Sequence, residues 1–155
     1  MRRPEPRLPS LRLMPPVFIV AVALNYVWEL GQSPLYEGVT DDPQVWWHCF
    51  VASLGDGVLV CLIYALGCFA FRRRDWFVPG QRLRIPFLVI AGLVVGVGVE
   101  WIGARLLKRW VYDPSMPLIP WLDLGLVPVL QMSVLPLLVF LIVELFVLPK
   151  HKSRC

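Results

Sequence analysis

The sequence predicts an all-α polytopic membrane protein, a bundle of four transmembrane helices with both termini in the cytoplasm. Three observations lead to this fold class. Of the 155 residues, 57% are hydrophobic, which is too apolar for a soluble domain with a solvated surface. The apolar residues gather in four stretches, each close to the length that crosses a bilayer. Basic residues lie in short runs beside these stretches and thereby indicate orientation.

The four predicted spans cover residues 14–30, 48–71, 85–106 and 124–148. A hydrocarbon core of ~30 Å requires about 17 to 25 apolar residues, and the first span is the shortest of the four. The segment before it resembles the basic region of a signal peptide, but no small-residue cleavage site follows the apolar run. We therefore expect it to remain as an anchor helix. Residues 1–155 are predicted to form one integral membrane domain.

The charged residues between the spans predict which side of the membrane each loop faces. Residues 1–13 hold four arginines and one glutamate, and residues 72–84 hold five arginines and one aspartate. Residues 31–47 hold three acidic residues and no basic one, whereas the tail after Pro149 is basic. Because basic loops stay in the cytoplasm, we predict a multi-pass protein of the cell membrane with both termini cytoplasmic. Lys108 and Arg109, beside the second outer loop, disagree with this rule.

The remaining composition argues against several other functions. The net charge of +4 could suggest nucleic acid, but the basic residues form no face or stripe, so we predict no nucleic-acid partner. They flank apolar segments, where they can contact anionic lipid head groups. The four cysteines include no CxxC pair, and neither histidine stands at ligand spacing to a cysteine. We therefore predict buried free thiols, no metal site and no cofactor.

Four carboxylates fall within the predicted spans, where each costs roughly 2.5 to 3.5 kcal/mol and needs a partner or a water-filled cavity. They are Glu29, Asp56, Glu100 and Glu144. At about 1.5 Å per residue, the first three lie within roughly 12 Å of the outer ends of their spans. Gln131 enters the fourth span at a similar depth, so we expect every span to bring a polar group to the outer half. Glu144 lies near the inner end, where we expect it to reach the basic tail.

The segment that follows Glu100 predicts a cap over this outer half. Three prolines between residues 111 and 121 keep it out of a helix. Arg105 is close enough in sequence to pair with Glu100, which would leave another of the acids unpaired and protonated; alternatively, Arg105 contacts lipid phosphates. Gly92 and Gly96 precede Glu100 at i+4 spacing and allow close helix approach, although plain packing could explain them entirely.

Five segments combine polar and aromatic residues: NYVWEL (25–30), HCFVASLGD (48–56), Glu100 with Trp101, RWVYDPSMP (109–117) and GLVPVLQ (125–131). Together they resemble a family of small bacterial membrane proteins, over most of the chain, and this resemblance implies no activity. Asn25, Trp28 and Glu29 resemble the Asn-x-x-Trp-Glu segment of integral membrane terpene cyclases, with Asp56 as the distant aspartate. That resemblance implies acids that act on an isoprenoid chain. Sterol-isomerase-like membrane proteins are similar in placing carboxylates and tryptophans in a lipid-facing cavity.

The first hypothesis for function is a membrane-embedded enzyme, of cyclase or isomerase type, that acts on a lipid or isoprenoid substrate. A carboxyl group removed from water could protonate an alkene or epoxide, and tryptophan rings would stabilise a developing carbocation. Catalytic roles are predicted for Glu29, Asp56 and Glu100. Substrate-binding roles are predicted for Asn25, Trp28, Trp101, Arg105 and Gln131.

Two other functions remain open on the sequence. Intramembrane carboxylates also occur in proton and cation paths, although the inner halves of the spans offer little beyond Glu144 to continue such a path. The acids could instead be held in structural hydrogen-bonded pairs, in a non-catalytic subunit or assembly factor of a membrane complex. Under each hypothesis the expected partners are membrane lipids, a hydrophobic small molecule, a second copy of the chain or a larger complex.

Overall fold

The computed structural model describes residues 12–39, 43–78 and 82–147, and these residues form an all-α bundle of four long helices. The helices are α1 (Met14–Gln32), α2 (Val45–Phe71), α3 (Arg84–Glu100) and α4 (Leu126–Phe146). A 3₁₀ turn, Ser33–Leu35, continues α1, and a π-helix, Trp101–Leu106, continues α3. With these continuations, all four helices are long and apolar enough to cross a membrane. The predicted all-α bundle of four membrane-spanning helices is therefore confirmed.

The observed helices agree with the predicted spans to within a few residues. α2 begins at Val45, three residues before the predicted start at 48, and α1 runs past residue 30 to Gln32. α4 ends at Phe146, and the last predicted residue of that span, 148, lies outside the described residues. The same holds for the N-terminal segment 1–11 and the tail 148–155, whose charges contributed to the predicted orientation.

The helices run up and down, so that their connections lie at two opposite ends. We call the end with residues 33–39, 43–44 and 107–125 the carboxylate end, because Glu29, Asp56 and Glu100 lie nearer to it; the opposite end is the aromatic end. α1 packs mainly against α2 and α4, and α3 packs mainly against α4. α2 and α3 approach each other at far fewer positions. This sparse contact leaves space between α2 and α3.

Aromatic side chains close the bundle at the aromatic end. Trp76 is fully buried, donates from Nε1 to the Tyr64 carbonyl at 3.2 Å and stacks on Phe71 with ring centroids 5.4 Å apart. Its ring lies against Gly67, where an added Cβ would come within 2.1 Å of it. The cluster also includes Phe77, Phe87 and Phe140. Apolar packing therefore fills this end between α2, α3 and α4.

Glu144 lies near the aromatic end, as expected, and forms an ion pair with a residue of a neighbouring helix. Its Oε2 lies 3.4 Å from Nη1 of Arg84, the first residue of α3. The basic tail lies outside the described residues, so that half of the prediction is untested. Both side chains are only partly exposed, so each partly buried charge has a partner of opposite sign.

α3 approaches α4 closely where one has a glycine and the other a proline. Pro136 lies inside α4 and has no N–H, so the carbonyl of Met132, four residues earlier, lacks its helical donor. Gly92 of α3 packs at this carbonyl: an added Cβ would lie 2.0 Å from its oxygen. The glycine permits backbone contact at the point where α4 exposes an unpaired acceptor.

The proline-rich connection from α3 to α4 is not helical after residue 107, as predicted. Its short hairpin pairs β1 (Leu118–Ile119) with β2 (Leu124–Gly125). The connection also joins the one between α1 and α2, since the Glu37 N–H donates to the Val111 carbonyl and the Asp113 N–H donates to the Leu35 carbonyl, both at 3.0 Å. These contacts form the predicted cap over the carboxylate end.

Candidate carboxylate site

A cavity of about 500 Å³ lies between the helices at the carboxylate end. Its polar lining includes Glu29, Gln32, Asp56, Glu100 and Gln131. Its apolar and small residues include Ala52, Gly55, Leu59, Gly96, Val99 and Met132, and Tyr36, Arg109 and Trp110 reach it from the connections. The size and the apolar walls with a few convergent polar groups are typical of a small-molecule site.

Gln131 is the centre of a buried polar network. Its Nε2 lies 2.8 Å from Asn25 Oδ1, 3.0 Å from Glu29 Oε1 and 2.9 Å from Asp56 Oδ2. Asn25 is fixed in turn, since its Nδ2 donates to the Ala21 carbonyl at 2.8 Å. One amide of α4 therefore contacts side chains of both α1 and α2. Their similar depth below the ends of the predicted spans had indicated that they would lie close together.

Glu29 and Asp56 meet at the side-chain amide of Gln131. An amide nitrogen has two hydrogens, yet three acceptor oxygens surround that of Gln131, those of Asn25, Glu29 and Asp56. Two carboxyl groups from different helices therefore approach the same donor, and we call them the Glu29–Asp56 pair.

Gln32 completes the network, and sequence reasoning missed it. It is buried, and its Nε2 donates to Glu29 Oε1 and Gln131 Oε1, both at 2.9 Å, while its Oε1 accepts from Trp28 Nε1 at 3.1 Å. The signal was present in the sequence: Gln32 follows Glu29 by three residues and Trp28 by four, which places all three on one helix face. The predicted end of the first span at residue 30 excluded it.

Glu100, the third acid, is held by the cap. It is 4% exposed, and the hydroxyl of Tyr112 in the connection donates to its Oε2. Burial, with the neighbouring Glu100 second, raises the pKa of Tyr112 to about 12. The phenol therefore keeps its proton and remains a donor at neutral pH. Tyr112 was not predicted, because nothing in its spacing from Glu100 indicates that the connection folds back.

Trp110 and Tyr36 supply the aromatic rings of the cavity. The Trp110 ring packs on Gly103, where an added Cβ would lie 1.9 Å from it. Its buried indole nitrogen faces Glu100 and Tyr112 but makes no hydrogen bond within the described residues. Burial, followed by the charge of Glu100, raises the pKa of Tyr36. Both side chains are therefore neutral aromatic rings that lie beside the acids.

Four of the predicted binding residues do not line the cavity, and one of them, Asn25, is fully buried behind Gln131. Trp28 and Trp101 do not line the cavity; Trp28 is bound to Gln32, and Trp101 is 53% exposed on the outer surface of its helix. The predicted pairing of Arg105 with Glu100 is wrong, because Arg105 Nη2 instead lies 2.9 Å from Asp123 Oδ2 near the hairpin. Asp123 offers an exposed partner, whereas Glu100 is buried, and a guanidinium would lose its hydration on joining it.

The cysteines and histidine near the site do not form a metal centre in the described ranges. Cys49, Cys61 and Cys68 are free thiols, with Cys49 and Cys68 buried as predicted; Cys155 lies outside the described residues. Among residues 12–39, 43–78 and 82–147, no three His, Cys, Asp or Glu side chains are grouped to hold a metal ion.

Comparison with known proteins identifies no relative of this chain. The chain matches no protein-family model, no curated protein and no solved structure. The resemblances to small bacterial membrane proteins, terpene cyclases and sterol isomerases therefore stay predictions.

Proposed function

We propose that this protein is a membrane-embedded enzyme that acts on a lipid or isoprenoid substrate by carboxylate acid–base chemistry. One observation supports this most strongly: carboxyl groups from α1, α2 and α3 line one cavity whose other walls are largely apolar. A purely structural cluster has no need of an adjoining space of about 500 Å³. A hydrophobic substrate in this space would meet the acids away from bulk water, where proton transfer to carbon is favoured.

The proposed reaction starts at the Glu29–Asp56 pair. On this proposal one group of the pair carries a proton, which is transferred to an alkene carbon of the substrate, and the pair is left with both groups ionised. The resulting cation lies beside the rings of Tyr36 and Trp110, which replace Trp28 and Trp101 in this role. Glu100, oriented by Tyr112, removes a proton from a neighbouring carbon. The substrate is thereby isomerised or cyclised with no net change in protons, and water returns the proton from Glu100 to the pair.

The proposed location is the cell membrane, with both termini in the cytoplasm and the carboxylate end on the outer side. In support, Arg72, Arg73 and Arg74 are exposed at the aromatic end, directly after α2. Basic residues beside a span favour the cytoplasmic side. The cavity would then open in the outer leaflet.

Solvent deuterium incorporation tests the enzymatic proposal without knowledge of the substrate. Purified protein is placed in vesicles of bacterial total lipid extract in heavy water, and the lipids are examined by mass spectrometry. Because the enzyme donates a solvent-derived proton to the substrate, wild-type protein should produce a deuterium-labelled lipid. Asp56→Asn should abolish the label, since an amide does not act as the acid. Absence of label with folded wild-type protein would contradict the proposal.

A matched pair of glycine variants tests whether the cavity is the reaction site. Gly55 lines the cavity and Gly98 does not, and an added Cβ at either position meets nothing within 4 Å. Gly55→Leu should fill the cavity and remove the label, whereas Gly98→Leu should retain it. Equal activity of both variants would place the reaction elsewhere.

A second candidate function is that of a non-catalytic subunit or assembly factor, alone or as a homo-oligomer. The observation in its favour is that Gln32 and Gln131 together provide hydrogen bonds to Glu29, Asp56 and Asn25, as a structural cluster would need. On this proposal Asp56→Asn lowers the yield of folded protein and Gly55→Leu has no consequence. A transport role has less support, because the aromatic cluster fills the opposite end.

A further inference from the structure

We propose that the cavity binds a lipid with a phosphate head group, which Arg109 holds at the mouth while the hydrocarbon chain extends between α2 and α3 toward Glu29 and Asp56. The inference rests on the proposed function and extends it by naming the substrate class and the end of the substrate that reacts. Three features of the molecule lead to it: the lack of an ion-pair partner for Arg109 among the described residues, the opening between α2 and α3, and the order of charges along the cavity.

Arg109 is the cation that lines the cavity, and it has no ion-pair partner among residues 12–39, 43–78 and 82–147. Other arginines of the bundle do have partners: Arg84 pairs with Glu144, and Arg105 pairs with Asp123. Arg109 is exposed and lies just after the end of the α3 continuation, which is the level of lipid head groups for a spanning helix. A planar guanidinium at this level favours a phosphate, which it can bind with two parallel hydrogen bonds.

The gap between α2 and α3 gives a hydrocarbon chain lateral access. The two helices have few contacts, and the lining that α2 contributes includes two small, exposed residues, Ala52 and Gly55. Leu59 and Val99 continue the lining from the two helices. A chain from the bilayer can therefore enter sideways without passing its head group through the hydrocarbon core, where a charge is costly.

The order of charges fixes the orientation of this ligand. Arg109 lies in the connection at the mouth, whereas Asp56 lies eleven residues into α2, roughly 16 Å along the helix axis. An anionic head group is attracted to Arg109 and repelled by the acids deeper in the cavity. The chain end consequently points to Glu29 and Asp56. The bond that reacts lies in the hydrocarbon chain, and the phosphate ester is left intact.

Binding of dodecyl phosphate tests the site separately from catalysis, because its saturated chain offers no alkene to protonate. Calorimetric titration of the protein in phosphatidylcholine nanodiscs, with empty nanodiscs subtracted, measures the affinity for dodecyl phosphate and for the uncharged dodecanol. Arg109→Gln should weaken dodecyl phosphate binding about tenfold or more, as expected for a lost charge-assisted contact, and leave dodecanol unchanged. Lys108→Gln is the matched control, since Lys108 is adjacent but does not line this cavity, and it should bind both probes as the wild type does.

The Gly55→Leu and Gly98→Leu variants then locate the chain. Gly55→Leu should abolish binding of both probes, and Gly98→Leu should bind as the wild type does. The proposal is overturned if the wild type binds no dodecyl phosphate beyond empty nanodiscs, if Arg109→Gln and Lys108→Gln weaken it equally, or if Gly55→Leu binds normally. Specific binding without deuterium labelling of any lipid would leave this site standing and refute the enzymatic proposal alone.

Discussion

Gln131 is the side chain on which the polar core depends most. It is 2% exposed, donates toward α1 and α2 and accepts from Gln32. The acids near it are tolerated in an apolar bundle only with hydrogen-bond partners of this kind, because no bulk water is present there to satisfy a polar group. The amide thus makes the carboxyl pair compatible with folding.

Replacing Gln131 by leucine should destabilise the bundle strongly. Its contacts to Asn25, Glu29, Asp56 and Gln32 are lost together, and we expect a loss of about 2 to 4 kcal/mol in the free energy of unfolding. Thermal unfolding in detergent measures it. Ser133→Ala is the control on the same helix, because Ser133 bonds only the Val129 carbonyl one turn away. Equal melting temperatures for the two variants would show that the network is dispensable.

Tyr112 tests the connection between the cap and the buried acid. Tyr112→Phe removes the hydroxyl that donates to Glu100, so we expect a loss of about 1 to 2 kcal/mol in stability and faster proteolysis within residues 107–125. Limited proteolysis followed by mass spectrometry locates the cuts. Tyr26→Phe serves as the control, since the Tyr26 ring contacts Phe50 without a hydroxyl hydrogen bond in the described residues. A cap equally resistant in both variants would be inconsistent with this role of Tyr112.

At the scale of elements, the bundle is held by two kinds of close approach. α3 and α4 meet backbone to backbone at Gly92 and the Met132 carbonyl, whereas α2 receives the ring of Trp76 at Gly67. Beyond these points, toward the carboxylate end, α2 and α3 have few contacts, and the cavity lies there. The position of the glycines therefore determines where the bundle is dense and where it is open.

Gly92→Ala should separate α3 from α4. The added methyl would lie 2.0 Å from the Met132 carbonyl oxygen, which is backbone and cannot rotate away, so we expect about 1 to 3 kcal/mol of destabilisation from overpacking. Gly98→Ala, on the same helix with nothing within 4 Å, should be neutral or slightly stabilising, since alanine favours helix. The melting temperatures of the two variants in detergent measure the effect. A Gly92→Ala protein that melts at the wild-type temperature would exclude this contact as a determinant of packing.

The sequence predicted elements better than contacts. Span length and hydropathy depend on local composition, and they located all four helices within a few residues. The shared depth of Glu29, Asp56 and Gln131 followed from helix rise alone. Partner choice did not follow, because the pairing of Arg105 with Asp123 and of Tyr112 with Glu100 depends on how a connection without helical periodicity folds back.

For the molecule as a whole, the two ends have different chemistry. The aromatic end is filled by rings around Trp76 and is followed by exposed arginines. The carboxylate end holds an open cavity with acids inside and Arg109 at its rim. A bundle with one filled end and one open end suits a reaction fed from a single leaflet better than a path across the membrane, because a path needs two openings.

The proposed orientation can be measured by labelling single cysteines from outside the cell. Ser115 is exposed in the cap, and Arg73 is exposed after α2, so the two positions mark opposite ends of the bundle. In intact cells a membrane-impermeant maleimide should label Ser115→Cys and leave Arg73→Cys at the background of the wild-type cysteines, because the arginines after α2 favour a cytoplasmic location. Both variants should be labelled after lysis, which controls for accessibility. Labelling of Arg73→Cys but not Ser115→Cys in intact cells would reverse the topology and place the cavity, with its lipid, in the inner leaflet.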